Sequence, residues 1–339
     1  MLVQPRVWLS GQDARGGSGT RLRLSAAHDE WNHVGIALAA IEQGFFADEG
    51  IHDVELVTFP EQSGSLLDRE AFQVDLIARG VVDVGIDPRT TFLLEAKDQG
   101  KPVCIVAARR KNHAFVIIGK KEFKSLEDLR GLSVDMGQRG GATDVMMRQA
   151  LLDSGIMPDT DVKFEYSGAP MHDSTGRARE FIEGGGGPAI LAPTAELDNL
   201  LGHGFPILAD LRERYPSRHD RVTGANENFV IEHPDLLKAF LKGMIRSCRW
   251  VLDLDHTERF KEVIVGAGFL VSDREKRNFD DLFIGWQTRG TRDLELPRDG
   301  IELIVDEEKR AEQISNAFKV DDVLRLDALR KAQAEVGSA

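Results

Sequence analysis

The sequence predicts an α/β protein of two domains, and three observations carry that expectation. A strand, a polar loop and an apolar helix succeed one another near residue 28, and the same plan returns near residue 137. The 339 residues exceed what one ordinary core holds and fit two domains of about 150 residues each. An apolar share of 42% with 29% charged residues is that of a soluble globular chain, so a sizeable core needs no staple.

Residues 1–20 contain Arg6, Asp13 and Arg15, a glycine-rich stretch from Gly11, and no apolar run of the signal-peptide kind. They read as a flexible leader ahead of the first strand. As the sequence stands, this implies a cytoplasmic chain; a misassigned or processed start would imply a periplasmic one. No stretch approaches the roughly 18 apolar residues of a membrane span, so none is expected.

Leu22 and Leu24 mark a first strand, Ala27 to His33 a polar loop, and Val34 to Phe46 a helix whose Ile36, Ala37, Ala40, Ile41 and Phe45 share one face. Val54 to Thr58 is the next strand. A turn at Gly80 leads to a short buried strand, Val82 to Ile86, then to the loop Asp87 to Thr91 and a helix reaching Gln99. Strands follow at Val103 to Ala108 and Phe115 to Gly119, joined by the basic bridge Arg109 to His113.

Ser125 and Asp128 suit a capping box, and Gly131 the turn that ends its short helix. Leu132 to Asp135 is then a strand, Gly137 to Thr143 its loop, and Asp144 to Ser154 its helix. Val162 to Tyr166, Thr175 to Ile182 and Ala189 to Ala192 continue as strand, helix and strand. The run Gly184 to Gly187 reads as a turn and not a phosphate loop, because its helix precedes it and no Lys-Ser/Thr follows. Pro234 opens a strongly amphipathic helix through Leu237, Leu241, Met244, Ile245, Cys248 and Val251.

Lys plus Arg number 43 against 56 Asp plus Glu, a net charge of −13, which leaves no basic surplus for a phosphate backbone. Nucleic acid is therefore not an expected partner. A small anion stays open, because a local arginine or a helix N-terminus can set the field inside a cleft. Cys104 and Cys248, far apart on apolar elements, read as small core hydrophobes. No Cys/His spacing suggests zinc, and neither metal nor cofactor is expected.

Several stretches together carry a family resemblance. Ile41-Glu-Gln-Gly-Phe-Phe-Ala-Asp-Glu-Gly50 followed by Val54-Glu-Leu-Val57 resembles the opening of the type 2 periplasmic-binding-protein fold. Gly80-Val-Val-Asp-Val-Gly85, Lys124-Ser-Leu-Glu-Asp-Leu-Arg-Gly131 and Glu232-His-Pro-Asp-Leu-Leu-Lys-Ala-Phe-Leu241 agree in order and spacing. The branch is similar to sulfonate-, taurine- and nitrate-type solute-binding proteins and to the yeast-type thiamine-pyrimidine synthases. The resemblance implies a discontinuous first domain, 21–108 plus 213–339, an inserted second domain, 109–212, and a ligand cleft between them that closes by a hinge.

In an open α/β sheet, ligands bind beyond the carboxyl ends of strands, where helix N-termini offer free N–H groups. The loops to weigh are 27–33, 87–91, 137–143, 193–196 and 224–228. In the first, Asp29, Glu30 and Asn32 are either caps and solvated neighbours or ligand contacts, Trp31 a stacking wall, and His28 and His33 acid/base groups if the protein is an enzyme. Asp87 forms a rigid corner with Pro88, and Arg89 either forks onto an anion or pairs with a nearby carboxylate; Thr90 caps or binds. Gln138, Arg139, Gly140, Gly141 and Thr143 open a helix as a candidate anion cradle, with Thr194, Asn226 and Glu227 as further contacts.

Two functions follow. The first is an ABC-transporter-type substrate-binding protein for a small organic anion, a carboxylate or sulfonate, with an ABC permease as partner. The alternative is a cytoplasmic lyase on the same fold, an aromatic-acid decarboxylase or desulfinase-like enzyme using the His28 to His33 loop. Two departures bear on the alternative: Trp31 stands where biphenyl-type desulfinases carry their cysteine, and the cysteine-rich iron motif of the pyrimidine synthases has no counterpart.

Overall fold

The computed structural model describes residues 6–10, 21–59, 66–109, 115–137, 139–140, 142–167, 174–193, 196–269, 279, 283 and 290–337. The chain divides into two compact units, Met1–Lys111 with Ser217–Ala339, and Asn112–Pro216.

In the first unit, β1 (Arg6–Ser10) precedes β2 (Leu22–Ala26), α1 (Trp31–Glu42), α2 (Phe45–Asp48) and β3 (Val54–Thr58). Then come α3 (Leu66–Ala78), β4 (Val84–Gly85), α4 (Thr90–Asp98) and β5 (Val103–Ala107). The flexible-leader expectation fails for Arg6–Ser10, which pairs antiparallel with β3 from Arg6↔Thr58 to Ser10↔Val54. Five ladder positions along the free side of β3 satisfy that backbone, and the alternation Val7, Leu9 was too short to stand out in a polar stretch. The first helix also begins earlier than its apolar run, so Trp31, Asn32 and His33 form its opening turn.

The second unit holds β6 (Phe115–Gly119), β7 (Ser133–Asp135), α5 (Ala142–Asp153), β8 (Lys163–Glu165), α6 (Ser174–Ile182), β9 (Ala189–Pro193), α7 (Leu197–Gly202), β10 (Ile207–Asp210) and α8 (Leu211–Arg214). Its strands run β10-β6-β9, all antiparallel, with β7 and β8 a separate parallel pair. Val116, Ile118, Phe181, Ile190 and Leu200 make its core. The expected capping box forms, Asp128 accepting from the amides of Ser125 at 3.0 Å and Lys124 at 2.7 Å. The glycine run is a turn, with Gly184, Gly186 and Gly187 at positive φ and Lys120 donating to the carbonyls of Phe181 and Gly185.

The chain returns to the first unit as β11 (Thr223–Asn226), α9 (Glu227–Glu232), α10 (Pro234–Val251), α11 (Thr257–Gly266), α12 (Arg298–Arg310), α13 (Val320–Val323) and α14 (Asp327–Val336). The first unit's sheet runs β1-β3-β2-β4-β11-β5. β2 is parallel to β3 and β4, whereas β11 lies antiparallel to β4 and β5. The carboxyl ends of β2 to β5 therefore share one edge with the amino end of β11. Alternation along β5 divides the core: Cys104 and Val106 join α1, α10 and α11 on one face, Val103 and Ile105 join α3, α4 and α12 on the other. Both cysteines are buried, and burial pushes each thiol up to about 12. Among the described residues no helix is long and apolar enough to cross a membrane.

Candidate functional site

The shared sheet edge of the first unit gathers its charged side chains. Beyond β2, His28 is buried, and His33 sits on the first turn of α1; their rings stack with centroids 3.8 Å apart and planes 7° from parallel. Nε2 of His28 lies 3.2 Å from Glu70 on α3, and Nδ1 of His33 lies 2.6 Å from Asp87 beyond β4. An ionised carboxylate only accepts hydrogen bonds, so facing one each of these two nitrogens is the donor.

Glu70 has no exposed surface, and burial alone would push its carboxyl up. The guanidinium groups of Arg221 and Arg89, with the hydrogen bond from His28, outweigh that penalty and hold it well below the usual range. Arg89 Nε donates to Glu70 at 2.7 Å, and Arg221 donates to the other carboxylate oxygen. Asp87 accepts from Arg109 Nη2 at 2.6 Å, while its own carbonyl accepts from Arg221 at 3.1 Å. Its φ of 63° lies in the left-handed region, which aspartate tolerates better than most residues and which turns the carboxylate back toward His33. Gln73 on α3 ties the loops together, donating to the carbonyls of Ser25 at 2.8 Å and Ile86 at 3.0 Å. Arg69, the residue before Glu70, donates to the carbonyls of Phe59 at 3.0 Å and Ala27 at 3.3 Å.

Sequence reasoning placed His28, His33, Asp87 and Arg89 here, and the structure brings them together. It missed Arg69, Glu70 and Arg221, and read Arg109 only as part of a bridge. The available signal was the spacing of Glu70, Gln73 and Ile77 on one helical face, polar residues in line with a core residue. Arg89 takes the carboxylate-paired option. Thr90 donates its hydroxyl to the carbonyl of His219 at 2.5 Å and its amide to that of Asp220 at 2.8 Å, so it fastens the return segment. Asp29 accepts from Thr58 at 2.7 Å, and Glu30 is the N-cap residue of α1, its carbonyl accepting from the amides of His33 and Val34. Asn32 lies half-buried in the first turn.

Trp31 packs its indole against Phe279 at 5.0 Å, Phe260 at 6.3 Å and Phe283 at 6.4 Å and stays half-buried at the margin of the core. Asn226 and Glu227 stand at the opposite sheet edge, because β11 runs antiparallel to its neighbours. There Asn226 caps α9, accepting from Asn228 and Phe229, and Glu227 pairs with Lys97 and Arg325. In the second unit, Gly137 donates to Asp135 and Gly140 to Asp144, each at 2.8 Å, Arg139 is exposed and Thr143 is buried. Gln138, Gly141 and Thr194 lie outside the described residues.

His28, Glu30 and His33 offer donor atoms within 4.8 Å of one another. The arrangement does not suit a metal ion. Lone pairs of parallel stacked rings lie in separate planes, so one ion at about 2.1 Å from both nitrogens would sit far out of each ring plane. The neighbouring guanidinium groups repel a cation as well.

Residues 30–184 match the family model described as NMT1/THI5 like. Over 265 residues the chain is 24% identical to the bicarbonate transport ATP-binding protein CmpC of Synechocystis, covering 73% of this chain and 37% of that protein. It is 21% identical to the nitrate/nitrite binding protein NrtA of Nostoc, covering 72% of this chain and 58% of that one. The chain thus spans about a third to three fifths of the length of these relatives. The periplasmic aliphatic sulphonate binding protein SsuA of Escherichia coli superimposes with a TM-score of 0.67 at 15% identity, covering 91% of this chain and 92% of that one. The chain has the periplasmic-binding-protein fold. The same fold also carries catalysis, since the desulfurization enzyme DszB superimposes with a TM-score of 0.61 at 14% identity, covering 93% of this chain and 99% of that one. Within this binding-protein fold, the edge of the first unit's sheet is the place where polar chemistry concentrates, as expected for strand carboxyl ends.

Proposed function

We propose that the chain is a substrate-binding protein that captures a small organic anion, a carboxylate or sulfonate, and delivers it to an ABC-type permease. The observation that carries this reading is the gathering of Arg69, Arg89, Arg109 and Arg221 at the carboxyl edge of one sheet, in a chain of net charge −13. Burying guanidinium groups is unfavourable unless anionic partners answer them; Glu70 answers Arg89 and Arg221, and Asp87 answers Arg109, while Arg69 bonds only carbonyl oxygens, which supports an anion at this edge. The relatives named for nitrate, bicarbonate and sulphonate fit the same chemistry. A thermal-shift screen of aliphatic and aromatic carboxylates and sulfonates, with nitrate and bicarbonate, tests it; a stabilising compound recovered unchanged is the expected result, and no stabilisation by any of them removes the reading.

A second reading is favoured by the two imidazole–carboxylate pairs, His28 with Glu70 and His33 with Asp87. Such pairs orient a ring for general acid or base work, as a decarboxylating or desulfinating lyase requires. A cysteine nucleophile is not part of it, because both thiols are buried and held protonated. Product analysis on any stabilising compound separates the two readings, since a lyase returns a ligand that has lost carbon dioxide or sulfite.

A further inference from the structure

The fixed charges at the sheet edge answer one another. Glu70 holds Arg89 and Arg221, Asp87 holds Arg109, and the fields of Asp220 and Glu95 add to these at Arg221 and Arg89; with Arg69, four guanidinium groups stand against four carboxylates. Arginines stay ionised, so an arriving anion brings a charge that no fixed group at the edge offsets. Imidazole is the side chain that changes charge near neutral pH, and two imidazoles share the carboxylates of these ion clusters. His28 shares Glu70 with Arg89 and Arg221, and His33 shares Asp87 with Arg109. An anion that draws a guanidinium toward itself leaves the shared carboxylate short of positive charge. The ring on that carboxylate restores it by taking a second proton.

The nitrogen facing the carboxylate already donates, so the added proton goes to the other ring nitrogen. For His28 that is Nδ1, 3.9 Å from Glu30 at the part-exposed rim. The stack sets the number: with centroids 3.8 Å apart and planes 7° from parallel, one imidazolium repels a second face to face, so the pair takes one proton and not two. The charged groups around the pair are Asp29 and Glu30 ahead of α1, Arg69 and Glu70 on α3, Asp87 and Arg89 beyond β4, Arg109 beyond β5, and Asp220 and Arg221 after His219 on the return segment. Glu308, pushed up to about 7, also changes charge in this range, but it belongs to the cluster of Arg218 and Glu307.

We infer that anion binding at this edge is coupled to the uptake of one proton by the His28–His33 pair, so that the protein takes its ligand as anion plus proton. This rests on the anion-binding reading and adds its control by pH. Affinity rises on acidification, because the protonated pair favours the anion and the anion favours the protonated pair.

The test is calorimetric titration of the full chain with nitrate, ethanesulfonate, benzenesulfonate and benzoate, all ionised from about pH 6 to 8. Titration in buffers of different ionisation heat counts the protons taken up per anion, and the source of any such proton is then the protein and not the probe. Uptake should approach one at its maximum and never exceed it, with affinity falling by up to about tenfold per pH unit. The double variant His28→Asn, His33→Asn, checked for native circular dichroism, should lose the uptake, whereas Glu308→Gln should keep it. Binding with uptake of no proton, or of two, overturns the inference and leaves an anion-binding protein standing; so does uptake that Glu308→Gln abolishes. Failure of all four probes to bind removes the anion site and the inference with it. Where the double variant does not fold, NMR of the wild-type imidazole nitrogens decides: one stacked ring should move toward the imidazolium position when the anion binds, and unchanged shifts overturn the inference.

Discussion

His28 and His33 lie face to face at 3.8 Å, and each ring is tethered to a different carboxylate, Glu70 for one and Asp87 for the other. The stack thereby joins two ion clusters, Glu70 with Arg89 and Arg221, and Asp87 with Arg109. Disturbing either carboxylate should be felt by both rings.

Glu70→Gln should therefore be strongly destabilising, by about 3–5 kcal/mol, because it leaves two guanidinium groups without their buried partner. The pH dependence follows from the depressed folded-state carboxyl. Its stabilisation is fully present above the ordinary value of 4.5 and is lost as pH falls below it toward the folded-state value. Urea denaturation should show wild type losing stability on acidification below that point, with a flatter profile for Glu70→Gln. Parallel profiles would refute the assignment.

Trp31→Ala tests whether the indole belongs to the core. Its contacts with Phe260, Phe279 and Phe283 predict a loss of about 3 kcal/mol without any ligand present. A ligand wall would show instead an unchanged melting temperature and a lost ligand response.

How much of this the sequence discloses depends on the kind of information each feature needs. Apolar period alone locates α10 and the strands β2, β3, β5 and β6, because burial imposes that period directly. The loops after β2 and β4 are legible for the same reason, and they deliver His28, His33, Asp87 and Arg89. Strand direction is not written in local pattern. Residues 224–228 read as a loop beside Arg221, whereas Thr223–Asn226 is itself β11 and its antiparallel course carries Asn226 and Glu227 to the far edge. Glu70 escaped notice because a carboxylate on an amphipathic helix ordinarily faces water; only the partners on other elements bury it.

Asn226→Ala measures that reversal. Loss of a side-chain cap on α9, together with the hydrogen bond to the carbonyl of Ile77, should cost about 1–2 kcal/mol. Ligand affinity should stay within experimental error of wild type. A large affinity loss in a stably folded variant would return Asn226 to the binding site.

Gly300→Ala should be among the most damaging single-methyl additions in the chain. A Cβ there would meet the carbonyl oxygen of Ser217 at 1.5 Å and its carbon at 2.6 Å, so backbone must move near the start of α12. A cost of about 3 kcal/mol or more is expected, comparable to severe overpacking. Gly44→Ala is the control: its φ of 77° imposes strain, but nothing lies within 4 Å of the added methyl, so about 1 kcal/mol is expected. Chemical denaturation of both variants ranks the two effects.

Glu308 offers the opposite pH signature to Glu70. Burial, reinforced by Glu95 and Glu307, pushes its carboxyl from 4.5 up to about 7. The folded chain then holds a proton that the unfolded chain releases, so stability falls as pH rises from the unfolded value through the folded one, and stays reduced above it. The full penalty is about 3 kcal/mol for a shift of this size. Glu308→Gln mimics the protonated side chain and should be more stable than wild type at pH about 8 by up to that amount. Below the unfolded-state value the two proteins should converge, because wild type is then protonated in both states. Denaturation midpoints measured at both ends of that range decide the point: a constant difference between the proteins would mean that Glu308 is not the titrating group.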